Sequence, residues 1–439
     1  MTASAAPSAP PATAELDKLR FLTPALASEI RDRFGSPSYV YSLDLLGENA
    51  DAALAFPNAF GLTARFAMKA LPNAAVLRYL TKKGMHIDAS SVHEAWRAMK
   101  AGVPPGNITL STQDFGAEGE VQAVVAAGVG VNVCSLEQLE IYGRSFPGTK
   151  VGVRFNPGLG SGGTSKTNVG GAGSSFGIWH EWLPQVTEIA ARHSIEITRV
   201  HTHIGSGSDP KVWQKVAGLS LALVDAIPSV TTLNLGGGYK VARMPGEVPT
   251  DLATIGAPVA DAFRDFAART GRELRLEIEP GTFMVANVGA LVCTARDVVT
   301  TGTSAGRAFV KLDSGMTEIL RPSLYGALHP IVVVNGSAET QNYVVVGHCC
   351  ESGDLMTPAP GEPDVISERA LAKVQPGDLV VVEGVGAYCA SMSAKNYNSF
   401  PEAAEVLVDH RGEAHLIRKK QTLDQILENE IQVAEAVLE

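Results

Sequence analysis

The chain has 439 residues, 45% of them hydrophobic and 19% charged, with 36 basic against 46 acidic residues and a formal net charge of −10. That length spans two or three domains, and the apolar content is enough to bury large cores. No basic cluster stands out and no apolar run reaches the roughly 20 residues that cross a bilayer, which argues against nucleic-acid and membrane partners.

Residues 1–20, MTASAAPSAPPATAELDKLR, are rich in Ala, Ser and Pro and read as a disordered tail. They lack the basic start and apolar core of a secretory signal. The five cysteines, Cys134, Cys293, Cys349, Cys350 and Cys389, are odd in number and scattered. They form neither a disulfide framework nor a metal-binding spacing, so thiols in a reducing cytoplasm and no metal are expected.

Short β-type runs then alternate with helical stretches. The runs are 64–69, 84–88, 107–111, 131–135, 150–156, 197–204, 231–235 and 274–279. Helix-like segments between them include 73–83, 91–101, 117–127, 136–145, 179–193, 211–226 and 259–270. Alternation of this kind predicts a parallel sheet with right-handed crossovers. Eight repeats predict a closed (β/α)8 barrel of the TIM type over 44–290; an open doubly wound sheet is the alternative.

After residue 290 the texture changes. Runs at 308–312, 331–334, 343–346, 379–383, 404–408 and 414–418 are separated by Gly, Pro and Asp. They predict a β-rich, sandwich-like second domain over 291–439. Residues 21–43, with the strand-like Ser38–Ser42, are expected to join it. The span 423–438 has the periodicity of one surface helix.

In such barrels, active sites gather where the strands end. Here those ends carry Lys69, Asp88, Arg154, Asn156, His203, Gly236-Gly237-Gly238 and Glu279. Taken singly, each has an ordinary reading: a solvated lysine, a core histidine, a structural carboxylate. Together they suit pyridoxal 5'-phosphate (PLP). A lysine of lowered pKa forms a Schiff base with an aldehyde. Glycine loops after late strands let backbone N–H groups approach a phosphate. Glu279 against the pyridine nitrogen would keep it protonated, and His203 would stack on the ring.

The same residues carry a family resemblance. Phe66-Ala67-Met68-Lys69-Ala70, His201-Thr202-His203-Ile204-Gly205-Ser206, Asn234-Leu235-Gly236-Gly237-Gly238 and Glu279-Pro280-Gly281 occur in that order in fold-type III PLP-dependent decarboxylases. Arg321-Pro322-Ser323-Leu324-Tyr325, Cys350-Glu351-Ser352-Gly353-Asp354, Gly386-Ala387-Tyr388 and Asn396-Tyr397-Asn398 resemble the diaminopimelate decarboxylases among them. The likeness spans about residues 36–410.

That resemblance implies decarboxylation of meso-2,6-diaminopimelate to L-lysine and carbon dioxide, within lysine biosynthesis. Lys69 would carry PLP, and Cys350 would protonate the α-carbon. Asp88, His203, Ser206, Gly237 and Gly238 would belong to the cofactor site, with Glu279, Gly281, Thr282 and Tyr388. Arg321, Tyr325, Glu351 and Tyr388 would bind the amino-acid substrate. The family supplies its Cys and Glu from the partner subunit, which implies a homodimer with shared active sites.

Four positions depart from the family pattern. Thr282 replaces an Arg that binds the substrate's distal carboxylate, and Arg243, Lys240 and Arg154 are candidates to compensate. Leu71 replaces Asn, Ser175 ends the Gly/Ser/Thr-rich loop 158–175 in place of Lys, and His348 replaces Pro. Thr282 keeps open a sister decarboxylase acting on ornithine, lysine, arginine or carboxynorspermidine. A non-catalytic binding relative is the third reading; Lys69 and Cys350 argue against it.

Overall fold

The computed structural model describes residues 16–159, 170–203, 205, 209–302 and 306–438. Ser206 and most of the 158–175 loop lie outside them.

Eight parallel strands close a ring: Leu62–Ala67, His86–Ala89, Ile108–Ser111, Gly130–Val133, Lys150–Asn156, Glu196–Thr202, Thr232–Asn234 and Arg275–Ile278. Closure comes from the last strand pairing with the first, Leu276 opposite Leu62 and Ile278 opposite Ala64. This excludes the open sheet. The inward and outward faces of each strand are both covered, so runs such as Val151–Asn156 are buried throughout, as parallel strands demand. Polar caps start the helices where the sequence places them. Ser91 Oγ accepts from Glu94 N at 3.1 Å, while the Glu94 carboxylate accepts from Ser90 N at 2.7 Å, a reciprocal satisfaction of orphan N–H groups.

The second unit is a nine-stranded sheet. Its spine is Gly289–Thr300, a 12-residue strand that the sequence pattern did not single out. This strand pairs with Ser38–Ser42, Ala308–Leu312 and Leu379–Glu383. A register shift between Ala295 and Asp297 lets one half serve different partners from the other. Ser38–Ser42 is wedged between this strand and Ala404–Val408, antiparallel to one and parallel to the other.

Two regions differ from expectation. Asp17 and Arg20, assigned to a loose tail, are anchored: Asp17 accepts from Ile331 N at 3.0 Å, and Arg20 N donates to Glu383 at 3.1 Å. The 423–438 span is two short helices, Leu423–Leu427 and Glu435–Leu438, with no buried residue in either. Without an apolar face to dock, propensity alone sustains only short pieces. Among the described residues no helix is long and apolar enough to cross a membrane.

Candidate active site

A cavity of about 690 Å³ opens between the ends of the barrel strands and the second sheet. Its barrel end is lined by Lys69, Asp88, Arg154, His203 and Glu279, and its sheet end by Arg321, Tyr325 and Tyr388.

Lys69 sits on a single 3-10 turn, Met68–Ala70, just past the first strand rather than in it. Leu71 N donates to Met68 O at 3.1 Å, Ala67 N to Pro280 O at 3.2 Å, and Tyr388 N to Ala70 O at 2.9 Å. The turn is thus clamped from the barrel and from the second sheet. Tyr388 holds φ +56° to make its contact, a strained backbone conformation of the kind found at functional sites. The Lys69 side chain is open to the cavity but walled by protein. Burial pulls its pKa down, yet Tyr388, Asp88 and Glu279 outweigh burial and Arg154, and the amine lies above its ordinary value. This corrects the expectation of a lowered pKa: the acidic groups beside the amine favour its charged form.

Glu279 stands one residue beyond the last strand and is buried. Burial alone would raise its pKa, but His201 at 3.3 Å, His203 and the Asn234 amide hold it well below the carboxylate range. Asn234 Nδ2 donates to Glu279 Oε1 at 2.6 Å. His203 is itself kept neutral, by burial first and then by Arg154 and Lys69. The stabilising weight therefore rests on His201 and Asn234. Beneath them Glu277 is ion-paired to Arg65 at 2.8 Å and to Arg199 at 2.9 Å. Asp88 moves the other way: burial, then the charge of Glu279, pushes its pKa well up. The pKa values of the two carboxyls thus move in opposite directions.

The glycines have steric reasons. A Cβ on Gly237 would lie 2.1 Å from the backbone oxygen of Glu279, and Gly238 holds φ +108°. A Cβ on Gly281 would press Tyr388 Oη at 3.2 Å. Glu279 N in turn donates to Gly236 O at 2.7 Å, so the two loops are laced together.

At the sheet end, Arg321 and Tyr325 lie on the short helix Arg321–Tyr325, with the guanidinium 5.8 Å from the Tyr325 ring. Thr282 also lines the cavity. Cys350 and Glu351 do not: both are exposed in the single chain. Cys350 N donates to Asn398 Oδ1 at 2.9 Å, and Ser323 Oγ to Gly353 O at 2.6 Å, which ties their loop to the Arg321 helix. His348 stacks on Phe400 at 3.6 Å, a role that Pro lacks. Sequence reasoning passed over His201, the residue that touches Glu279; its place two residues from His203 on one strand was the available signal.

Residues 48–286 match the family described as pyridoxal-dependent decarboxylase, pyridoxal binding domain. The chain belongs to the pyridoxal-dependent decarboxylases. It is 35% identical over 408 residues to diaminopimelate decarboxylase of Escherichia coli K12, covering 91% of this chain and 94% of that one. It is 34% identical to the Streptomyces coelicolor protein of the same name, covering 94% and 93%. A crystal structure of diaminopimelate decarboxylase superposes with a TM-score of 0.84 at 34% identity, covering 91% and 94%. The Helicobacter pylori diaminopimelate decarboxylase complexed with L-lysine gives 0.79 at 27%, covering 91% and 98%.

The residues fit the pyridoxal group. The cavity offers an amine just past the first strand, a carboxylate whose neighbours favour its charged form, and a glycine cradle that a side chain would fill. Asp88 Oδ1 and His203 Nδ1 are buried there without a protein partner.

Proposed function

We propose that the protein decarboxylates meso-2,6-diaminopimelate to L-lysine and carbon dioxide with PLP as cofactor. The observation that carries this reading is the single cavity that joins Lys69 and Glu279 at one end to Arg321 and Tyr325 at the other. The relatives named for this activity support it.

Bound PLP supplies an electron sink for the charge left when carbon dioxide departs. Lys69 Nζ would hold it covalently, and Glu279 would keep its ring nitrogen protonated. His203 would pack on its ring. Gly237, Gly238 and Gly281 would admit its phosphate to the backbone, with Thr282 and Tyr388 beside it and Asp88 near Lys69; Ser206, expected at the phosphate, lies outside the described residues. Arg321 presents a planar fork to a substrate carboxylate, and Tyr325 shares that wall. Because Cys350 and Glu351 face away from their own chain's cavity, they would act in the site of a second copy. There Cys350 Sγ delivers the proton to the α-carbon and Glu351 receives the distal ammonium. The protein is then a homodimer with shared sites. Five unpaired cysteines suit a reducing cytoplasm.

Thr282 favours one other reading, a sister enzyme whose substrate lacks a distal carboxylate. Carbon dioxide release from meso-2,6-diaminopimelate, ornithine, lysine and arginine separates the two. Diaminopimelate is expected to give the highest kcat/KM; faster turnover of ornithine overturns the assignment.

A further inference from the structure

The sheet end of the cavity holds more positive charge than the chain neutralises. Arg243 and Arg321 both line it close to one another, and neither forms an ion pair among the described residues. Glu247 is the nearby acid, but its carboxylate accepts from the backbone N–H groups of Arg243 and Met244, at 2.7 and 3.2 Å. Burial, and then Arg321, pull the Arg243 pKa down to about 9, which still leaves it a cation at neutral pH. Both side chains are half-buried, but each keeps one nitrogen shut off from solvent, and buried polar groups of this kind are ordinarily paired.

Arg243 is also built into place. Arg20 Nη2 donates to Arg243 O at 2.6 Å, and Asn287 Nδ2 to Ala242 O at 3.0 Å, pinning the backbone. Gly384, at φ +71°, lets the Arg243 stem lie against it; a Cβ there would sit 3.2 Å from Arg243 Cγ. Arg243 Nε then donates to Gly384 O at 3.0 Å. One edge of the guanidinium is used for anchoring. The other carries Nη2, which is buried and has no partner; Arg321 Nε is likewise unpartnered. Both residues line the cavity together with Thr282.

We infer that Arg243 receives the substrate's distal carboxylate, pairing with Arg321 to form a two-guanidinium clamp that replaces the cation absent at Thr282. The assignment rests on the functional reading above and gives it a specificity determinant. The other candidates serve less well. Arg154 acts on Lys69, Cys134 and His203, which places it at the reactive amine rather than at the far end. Lys240 shares the cavity wall, but it has no buried nitrogen lacking a partner. A fork also matches a carboxylate where an ammonium offers only a point charge.

The ligand that reports on this contact is L-lysine, the product, which retains the distal carboxylate. Its control is 1,5-diaminopentane, which has the same chain and no carboxylate. In Arg243→Gln holoenzyme, calorimetry is expected to show L-lysine binding weakened about 10- to 100-fold, the loss of charge-assisted hydrogen bonds. Binding of 1,5-diaminopentane and the absorbance of the bound cofactor are expected to stay as in the unmodified protein. KM for diaminopimelate should rise by a similar factor with kcat changed far less. Arg243→Lys, which keeps the charge and is the safer variant for folding, should show an intermediate loss. L-lysine affinity within twofold of the unmodified protein in either folded variant overturns the assignment. If the unmodified enzyme releases no carbon dioxide from diaminopimelate, the functional reading itself fails; turnover that is insensitive to Arg243 removes only this inference.

Discussion

The two ends of the cavity differ in how far the chain itself ties them down, although Asp88 Oδ1 and His203 Nδ1 are unpartnered at the barrel end. At the barrel end, Lys69, Glu279, Asn234 and the glycine loops come from one chain and hold each other in place. At the sheet end, Arg243 and Arg321 keep unpartnered nitrogens, while Cys350 and Glu351 turn outward. The reactive end is laced by hydrogen bonds within the chain, whereas the other end leaves two guanidinium nitrogens unmet, as the proposed substrate and second copy would require. Preorganised electrostatics at the reacting centre is where enzymes gain most rate, and unmet polar groups at the selective end reject ligands that cannot satisfy them.

Substitutions test that contrast in order of size. Lys69→Ala should remove both carbon dioxide release and the absorbance of bound PLP; a retained cofactor spectrum would contradict the role of the amine. Glu279→Gln, which preserves shape and removes charge, should lower kcat by about 10²- to 10³-fold, the range for losing a preorganised charge at a reacting centre. A KM effect alone would place Glu279 in binding instead.

Cys350→Ala should slow turnover by about 10²-fold or more, the range for loss of a general acid. Mixing it with Lys69→Ala offers a sharper reading. Two inactive variants regain activity together only if each site draws on two chains, and a mixture that stays inactive returns Cys350 to its own chain. Asp88→Asn should cost less than about tenfold in kcat, because burial and Glu279 already disfavour charge on Asp88. A loss as large as that of Glu279→Gln would show the two carboxyls sharing one role.

The smallest expected effect lies in the second sheet. Burial raises Glu318 to about 7, against the hydrogen bonds from Thr317, Gly315 and Ser314. Its folded pKa exceeds its unfolded one, so folding favours the neutral acid. Stability then falls as pH rises from about 4.5 to about 7 and is level above that. Glu318→Gln should leave kcat unchanged and raise stability at pH 8 by about 1–3 kcal/mol relative to pH 4. A pH-independent effect on denaturation would show that the carboxyl is not held neutral.

Much of this architecture is legible in the sequence because barrel strands are covered on both faces. Lys150–Asn156 in the barrel, and Leu379–Glu383 between two neighbours in the second sheet, are buried almost throughout and lie where the pattern puts them. The cofactor-end residues were legible for a related reason: each follows a strand, so the period of the barrel alone brings Lys69, His203 and Glu279 to one rim. The C-terminal helix failed where periodicity had nothing to pack against.

Other features belong to tertiary structure alone. Local sequence does not say that Ser38–Ser42 enters between Gly289–Thr300 and Ala404–Val408, since pairing across more than 250 residues is decided by which edges are left open. Nor does spacing choose among Arg243, Lys240 and Arg154. They lie in loops and strands whose side-chain directions depend on distant contacts: Gly384 and Arg20 for Arg243, Lys69 and Cys134 for Arg154. The sequence by itself determined the fold class and the chemical groups at the rim, because both follow from local period and residue type. The environment of those groups was set by folding. The raised pKa values of Lys69 and Asp88 and the unmet hydrogen bond of Arg243 arise from neighbours far away in the chain, and only their assembly around one cavity gives them energy.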